Sequence, residues 1–113
     1  MSGNITIEDA PGTWVVRAGG AVLGESQDAV ILHEDGYDDV VYFPRDDIAM
    51  AFLDPSETTT TCPHKGEASY YSIQTKSVTL SDAAWSYESP KDGLDRIAGH
   101  MAFHDQGVTV EQV

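Results

Sequence analysis

The side chains able to bind or transform a ligand are concentrated in four stretches: YFPRDD at 42–47, TCPHKGEASYY at 61–71, AWSYE at 84–88, and the histidines at 100 and 104. Cys62 and His64 are the residue types of a nucleophile and its base. They stand two apart around Pro63, however, where side chains rarely align for proton transfer, and no third group is placed to orient them. Lys65 is bracketed by Pro63 and Gly66, which set a tight turn and leave its ammonium projecting from a loop. Such a lysine reads as an anion receptor or as a solvated turn residue paired with Glu67. Arg45 reads in the same two ways, with Asp46 and Asp47 as its local partners. Trp85 and Tyr87 are two apart and therefore share one face of a strand, with Ser86 on the other. Together they wall either a ligand or the core. Tyr70 and Tyr71 are adjacent, so one faces inward and one outward.

The same inventory argues against several chemistries. Cys62 and His64 make half a metal site, and His33, His100 and His104 are spread too widely to complete it. His100 and His104 form a helical pair if a helix runs that far, but no glutamate between them supplies the metalloprotease arrangement. Asp38-Asp39 and Asp46-Asp47 would need further oxygen ligands to hold a cation. There is no Walker-type glycine loop, dinucleotide fingerprint, serine elbow or paired-cysteine motif. The expectation is therefore no metal and no cofactor.

The elements that must position these residues read mostly as strands. ITIED, TWVVRA and AVLGESQDAVILHE cluster β-branched and aromatic residues between the turn signals Pro11-Gly12 and Gly19-Gly20, the latter a hairpin turn. VVYF follows and ends at Pro44. Asp46 or Asp47 then caps a short helix with Ile48, Phe52 and Leu53 inward, stopped by Asp54-Pro55. Residues 56–66 lack apolar periodicity and read as a loop. EASYYSIQTK and SVTLSDAAWSYE read as strands, Ser89-Pro90 starts a second helix carrying Leu94, Ile97, Ala98 and Met101, and a turn at 105–107 feeds a last strand. The expected fold is mainly β (α+β): a compact antiparallel sheet, barrel-like or tent-like, with one or two short helices in one domain over residues 1–113.

Composition bounds the partners. The chain has 113 residues with 19 Asp+Glu against 6 Lys+Arg, a formal net charge of -13. Nucleic-acid binding draws on lysines and arginines that neutralise phosphates, so this balance excludes it as a general activity. No apolar run approaches a membrane span, and the start MSGNITIEDAPG lacks a secretory profile, so the expectation is a cytoplasmic protein without membrane contact. One cysteine leaves no internal disulfide.

Taken together, VVYFPRDDIAMAFLDPS, TTTCPHKGEASYYSI and AAWSYESPKDGLDRIAGHMAF resemble the domain of unknown function 427 family. Its hallmarks are Tyr-Phe-Pro-Arg, then Cys-Pro-x-Lys-Gly, then Ala-Trp-Ser-Tyr before a proline, and the match runs from about Thr13 to the C-terminus. The resemblance implies a tent-like β domain grouped near the Mss4-like proteins, here without their zinc because the paired cysteines are absent. It also brings a nucleotidyltransferase label, although neither the Gly-Ser turn nor the spaced aspartates of that chemistry occur in this chain. His64 stands where relatives carry an aromatic residue.

Three readings follow. The first is a domain that binds a small anionic or nucleotide-like molecule, with Arg45 and Lys65 on the anion and Tyr70, Trp85 and Tyr87 as an apolar wall. The second is an enzyme using Lys65 or Cys62 as nucleophile or His64 as acid or base. The third is a homodimeric interaction module in which the same residues are scaffold.

Overall fold

The computed structural model describes residues 4–113. Ten strands arise where β-branched and aromatic residues cluster. The first five are β1 (Ile5–Asp9), β2 (Trp14–Ala18), β3 (Ala21–Ser26), β4 (Val30–Glu34) and β5 (Val40–Tyr42). The second five are β6 (Leu53–Cys62), β7 (Gly66–Gln74), β8 (Thr79–Ser86), β9 (Ala102–Phe103) and β10 (Val108–Gln112). They form three antiparallel sheets in the orders β1-β4-β5, β10-β2-β3 and β6-β7-β8-β9, and none of the three closes into a barrel. Gly19 and Gly20 both take positive φ, and Ala18 pairs with Ala21, the geometry of the two-residue hairpin expected there.

The sheets share two apolar clusters. One gathers Val16, Leu23, Phe43, Ile73 and Met101, all fully buried, while the other holds Leu32, Tyr42, Ala68, Ile97 and Ala102. Phe43 and Met101 exchange both backbone hydrogen bonds at 2.8 Å, which ties β5 to the run into β9. Gly24 lets the chain before β6 approach β3: a Cβ there would lie 2.6 Å from the Asp47 carbonyl oxygen and 2.5 Å from Ile48 Cδ1.

Two expectations are corrected. Neither helix forms among the described residues, and only short 3₁₀ turns stand at Arg45–Asp47, Met50–Phe52 and Asp95–Ile97. At the first, Ile48 is extended and bridges to Gly24, so a tertiary contact overrides the local propensity. At the second, Leu94, Ile97 and Met101 are buried as their spacing suggests, but Gly93 and Gly99 adopt positive φ and break any helix. The loop expected over 56–66 is for the most part strand β6. It is an edge strand whose threonines face solvent, and their β-branched side chains favour extended backbone without needing an apolar face. Pro55 is tolerated there because an edge strand can spare a ladder donor, and the register shifts between Pro55 and Thr59. Within AVLGESQDAVILHE the chain forms two strands, β3 and β4. No helix among the described residues is long and apolar enough to cross a membrane.

Candidate functional site

Strand alternation builds a cleft of about 460 Å³. On β4 the inward parity runs Val30, Leu32, Glu34, so an acid occupies the third apolar position. On β5, Val40 and Tyr42 share the parity that faces the same space. Tyr70 of β7 lies directly opposite Trp85 of β8, with ring centroids 6.4 Å apart, and Tyr87 follows two residues on from Trp85. The turn between β6 and β7 adds Cys62, Pro63, His64 and Lys65. Gly66, at φ 112°, closes that turn where Cys62 pairs with Gly66.

Lys65 meets Glu34 across the cleft. Its Nζ donates to Glu34 Oε1 at 2.6 Å, and the two side chains are only 14% and 5% exposed. Burial pulls the ammonium down, but the hydrogen bond to Glu34 and the neighbouring acidic groups outweigh it, leaving its pKa above the ordinary lysine value. Burial also pushes the Tyr42 hydroxyl up; that oxygen accepts from the Trp85 indole Nε1 at 3.3 Å. For Tyr87, burial raises the phenol and nearby Lys65 partly opposes it. Tyr42 and Tyr87 are therefore both held in the neutral form.

Four of the five expected ligand residues, Lys65, Tyr70, Trp85 and Tyr87, do line this cleft. Arg45 does not. It sits with Tyr71 and Ser86, the sheet neighbours of Tyr70 and Trp85 whose side chains take the opposite face of β7 and β8. There its Nε donates to the Gly99 carbonyl at 3.1 Å, Nη1 to Tyr71 at 3.2 Å and Nη2 to Ser86 at 3.4 Å, with a salt bridge to Glu88. Its guanidinium also lies 5.7 Å over the Tyr71 ring. The local partners expected for the two cations, Asp46 and Asp47 for Arg45 and Glu67 for Lys65, are replaced by the distant Glu88 and Glu34.

Cys62 and His64 both reach the cleft, yet no hydrogen bond joins them among the described residues. His100 and His104 are not a helical pair: His104 follows β9 and lies 4.9 Å from the Trp85 ring centroid. Among the described residues no cluster of three or more potential ligands could hold a metal ion. The sequence reading did not single out Glu34; it met Tyr42 only as part of YFPRDD and weighed Asp38 only with Asp39 as part of a cation site. For Glu34 and Tyr42 the signal was present, since both continue the inward alternation of their strands.

A second lobe of about 360 Å³ adjoins the first and shares Asp38, Val40, Trp85 and His104 with it. Its floor is apolar, with Trp14, Val41, Phe103, Val108 and Val110. On the far side of Asp39, the His33 imidazole lies between two carboxylates, with Nδ1 2.8 Å from Asp39 and Nε2 2.7 Å from Glu8. The Nε2 contact is close but not aligned as a hydrogen bond. The bond to Asp39 leads in lifting the His33 pKa above the usual 6.5. Because the folded-state value is the higher one, the stabilisation from protonated His33 is complete below the unfolded pKa and fades as pH rises through the folded one. An NMR titration should place the His33 midpoint above 6.5, with Asp39→Asn moving it down; a wild-type midpoint at or below the ordinary value would refute the ion-pair assignment.

The fold and cleft define a class, a small antiparallel β domain with an aromatic cleft crossed by one buried ion pair. The chain belongs to the family described as Domain of unknown function (DUF427), whose model matches residues 6–113. No curated protein matches the chain.

Proposed function

We propose that this chain is a small-molecule binding domain whose seat is the cleft of Tyr70, Trp85, Tyr87 and Lys65. The observation that carries the reading is convergence: four strands and one turn, distant in sequence, bring aromatic rings and a buried ion pair to one concavity of about 460 Å³. That volume falls within the usual range for organic ligands, and the wall of flat rings suits a planar group such as a nucleobase. The anion expected from the sequence rested on two cations. With Arg45 on the other face and Lys65 bonded to Glu34, the reading keeps the aromatic wall and makes the ligand's charge a separate question.

The enzyme reading receives less support. A nucleophilic lysine needs a lowered pKa, and that of Lys65 is raised. The tent-like grouping of the wider fold family is compatible with three open sheets and is retained as part of this proposal.

A thermal-shift screen against nucleotides, aromatic metabolites and carboxylates tests the reading. A ligand at 100 times its Kd adds about 2.7 kcal/mol, and Tyr70→Ala, which removes one wall of the cleft, should abolish the shift. Hits that persist undiminished in Tyr70→Ala would place binding elsewhere and overturn the proposal.

A further inference from the structure

The charge lining the two lobes is lopsided. Glu34, Asp38, Asp39 and Asp105 contribute carboxylates, while Lys65 is the sole lysine or arginine among the residues that line either lobe. That lysine is bonded to Glu34, and Asp39 is paired with His33. Asp38 and Asp105 take part in no salt bridge among the described residues, and Asp38 borders both lobes beside Trp85. An arriving anion would meet free carboxylates and an ammonium already neutralised. A cation would meet carboxylates and the electron-rich faces of Trp85 and Tyr70, and the overall charge of -13 would draw it in.

The fold already seats one nitrogen heterocycle on this wall. The His104 imidazole stacks on Tyr70 at an interplanar angle of 18° and a centroid distance of 6.4 Å, and lies 4.9 Å from Trp85. His104 extends from the chain that follows β9 and is exposed, so it can yield its place to a ligand ring or stack upon it.

We infer that the ligand is a cationic planar molecule, an aromatic or heteroaromatic amine, with its ring on Trp85 and Tyr70 and its positive charge directed to Asp38. This inference rests on the binding reading above and fixes the sign of the ligand that reading leaves open. It reverses the anionic ligand expected from the sequence, because the two cations on which that expectation rested are each engaged by a glutamate.

Three indoles of one ring system and different charge separate the possibilities: tryptamine, indole and indole-3-acetate. Each is titrated at millimolar concentration and a pH above the ordinary histidine range, following the Trp85 indole N–H by NMR, with Trp85→Phe to assign it. Tryptamine should bind about tenfold more tightly than indole-3-acetate, with indole between them. Asp38→Asn, a change at an exposed residue outside the strands, should erase most of the advantage of tryptamine over indole while leaving indole unchanged. Indole-3-acetate binding as tightly as tryptamine, or an undiminished tryptamine preference in Asp38→Asn, would overturn the charge assignment and leave the cleft reading standing. No perturbation of Trp85 by any of the three would overturn both.

Discussion

Glu34→Leu should destabilise the domain by about 3–5 kcal/mol, as expected when one partner of a buried ion pair is removed and the other is left behind. The Lys65 ammonium, 14% exposed, would remain in the cleft wall without its carboxylate. Against a total stability of about 5–15 kcal/mol for a typical domain, that loss is large enough to leave a measurable unfolded population. Lys65→Met should cost a similar amount, because the Glu34 carboxylate is more deeply buried still. The double variant Glu34→Leu/Lys65→Met should recover most of either loss, since apolar replacement of a whole buried pair is often neutral. Urea denaturation of the four proteins completes the cycle, and single-variant losses under about 1 kcal/mol would mean that the pair behaves as a solvated one. The pH dependence has a definite sign. With the folded-state pKa of Lys65 raised, its stabilisation is complete below about 10.5 and lost as pH climbs through the folded value. Lys65→Met should therefore make the alkaline limb of the stability curve shallower, with buried Tyr42 supplying part of the remainder because its phenolate is disfavoured in the folded state. A direct consequence concerns ligand mapping: Lys65→Ala confounds lost binding with lost stability, whereas Tyr70→Ala leaves the pair intact.

Arg45→Lys should cost about 2–3 kcal/mol without disturbing the cleft. Four hydrogen-bonding groups from three separate parts of the chain, at Tyr71, Ser86, Glu88 and Gly99, converge on the planar guanidinium. An ammonium satisfies such a fork only in part and does not stack on Tyr71 as well. Ser86, fully buried, would then lose a donor that lysine cannot replace in geometry. Thermal melts read the destabilisation, and titration with the same indoles should return unchanged affinities at temperatures where the variant is folded. A binding loss in Arg45→Lys matching that in Tyr70→Ala would show that Arg45 acts on the cleft after all.

Parity along strands was the part of this fold most legible from residue types. The placement of Trp85 with Tyr87 on one face and Ser86 on the other followed from alternation alone, as did the division of Tyr70 from Tyr71. The hairpin at Gly19-Gly20 and the turn at 105–107 were equally direct, because glycine marks positions of positive φ. Legibility failed where spacing admitted two periods. Leu94, Ile97 and Met101 fit a helical stripe and are indeed buried, but irregular backbone interrupted at Gly93 and Gly99 buries them as well. It failed again at SETTTT, where an edge strand with no apolar face gives no alternation to read. Ion-pair partners were illegible for a different reason. Arg45 and Lys65 each have acidic neighbours in sequence, yet choose Glu88 and Glu34, which only the assembled sheets bring near. Even so, Glu34 was half visible, as a carboxylate at the inward parity of an otherwise apolar strand.

The pairing of β10 with β2 has a bearing on how the chain is made. Gln112 lies opposite Trp14, so the middle strand of that sheet waits for a partner nearly a hundred residues downstream. At ribosomal rates of about 5–20 residues per second, β2 and β3 stand as an uncovered hairpin for on the order of ten seconds. During that interval the buried faces of Val15 and Val16 have no cover from the last strand, and a free edge is open to other nascent chains. Clipping the C-terminal five or six residues would make that transient state permanent, turning a cooperative domain into one that aggregates on synthesis.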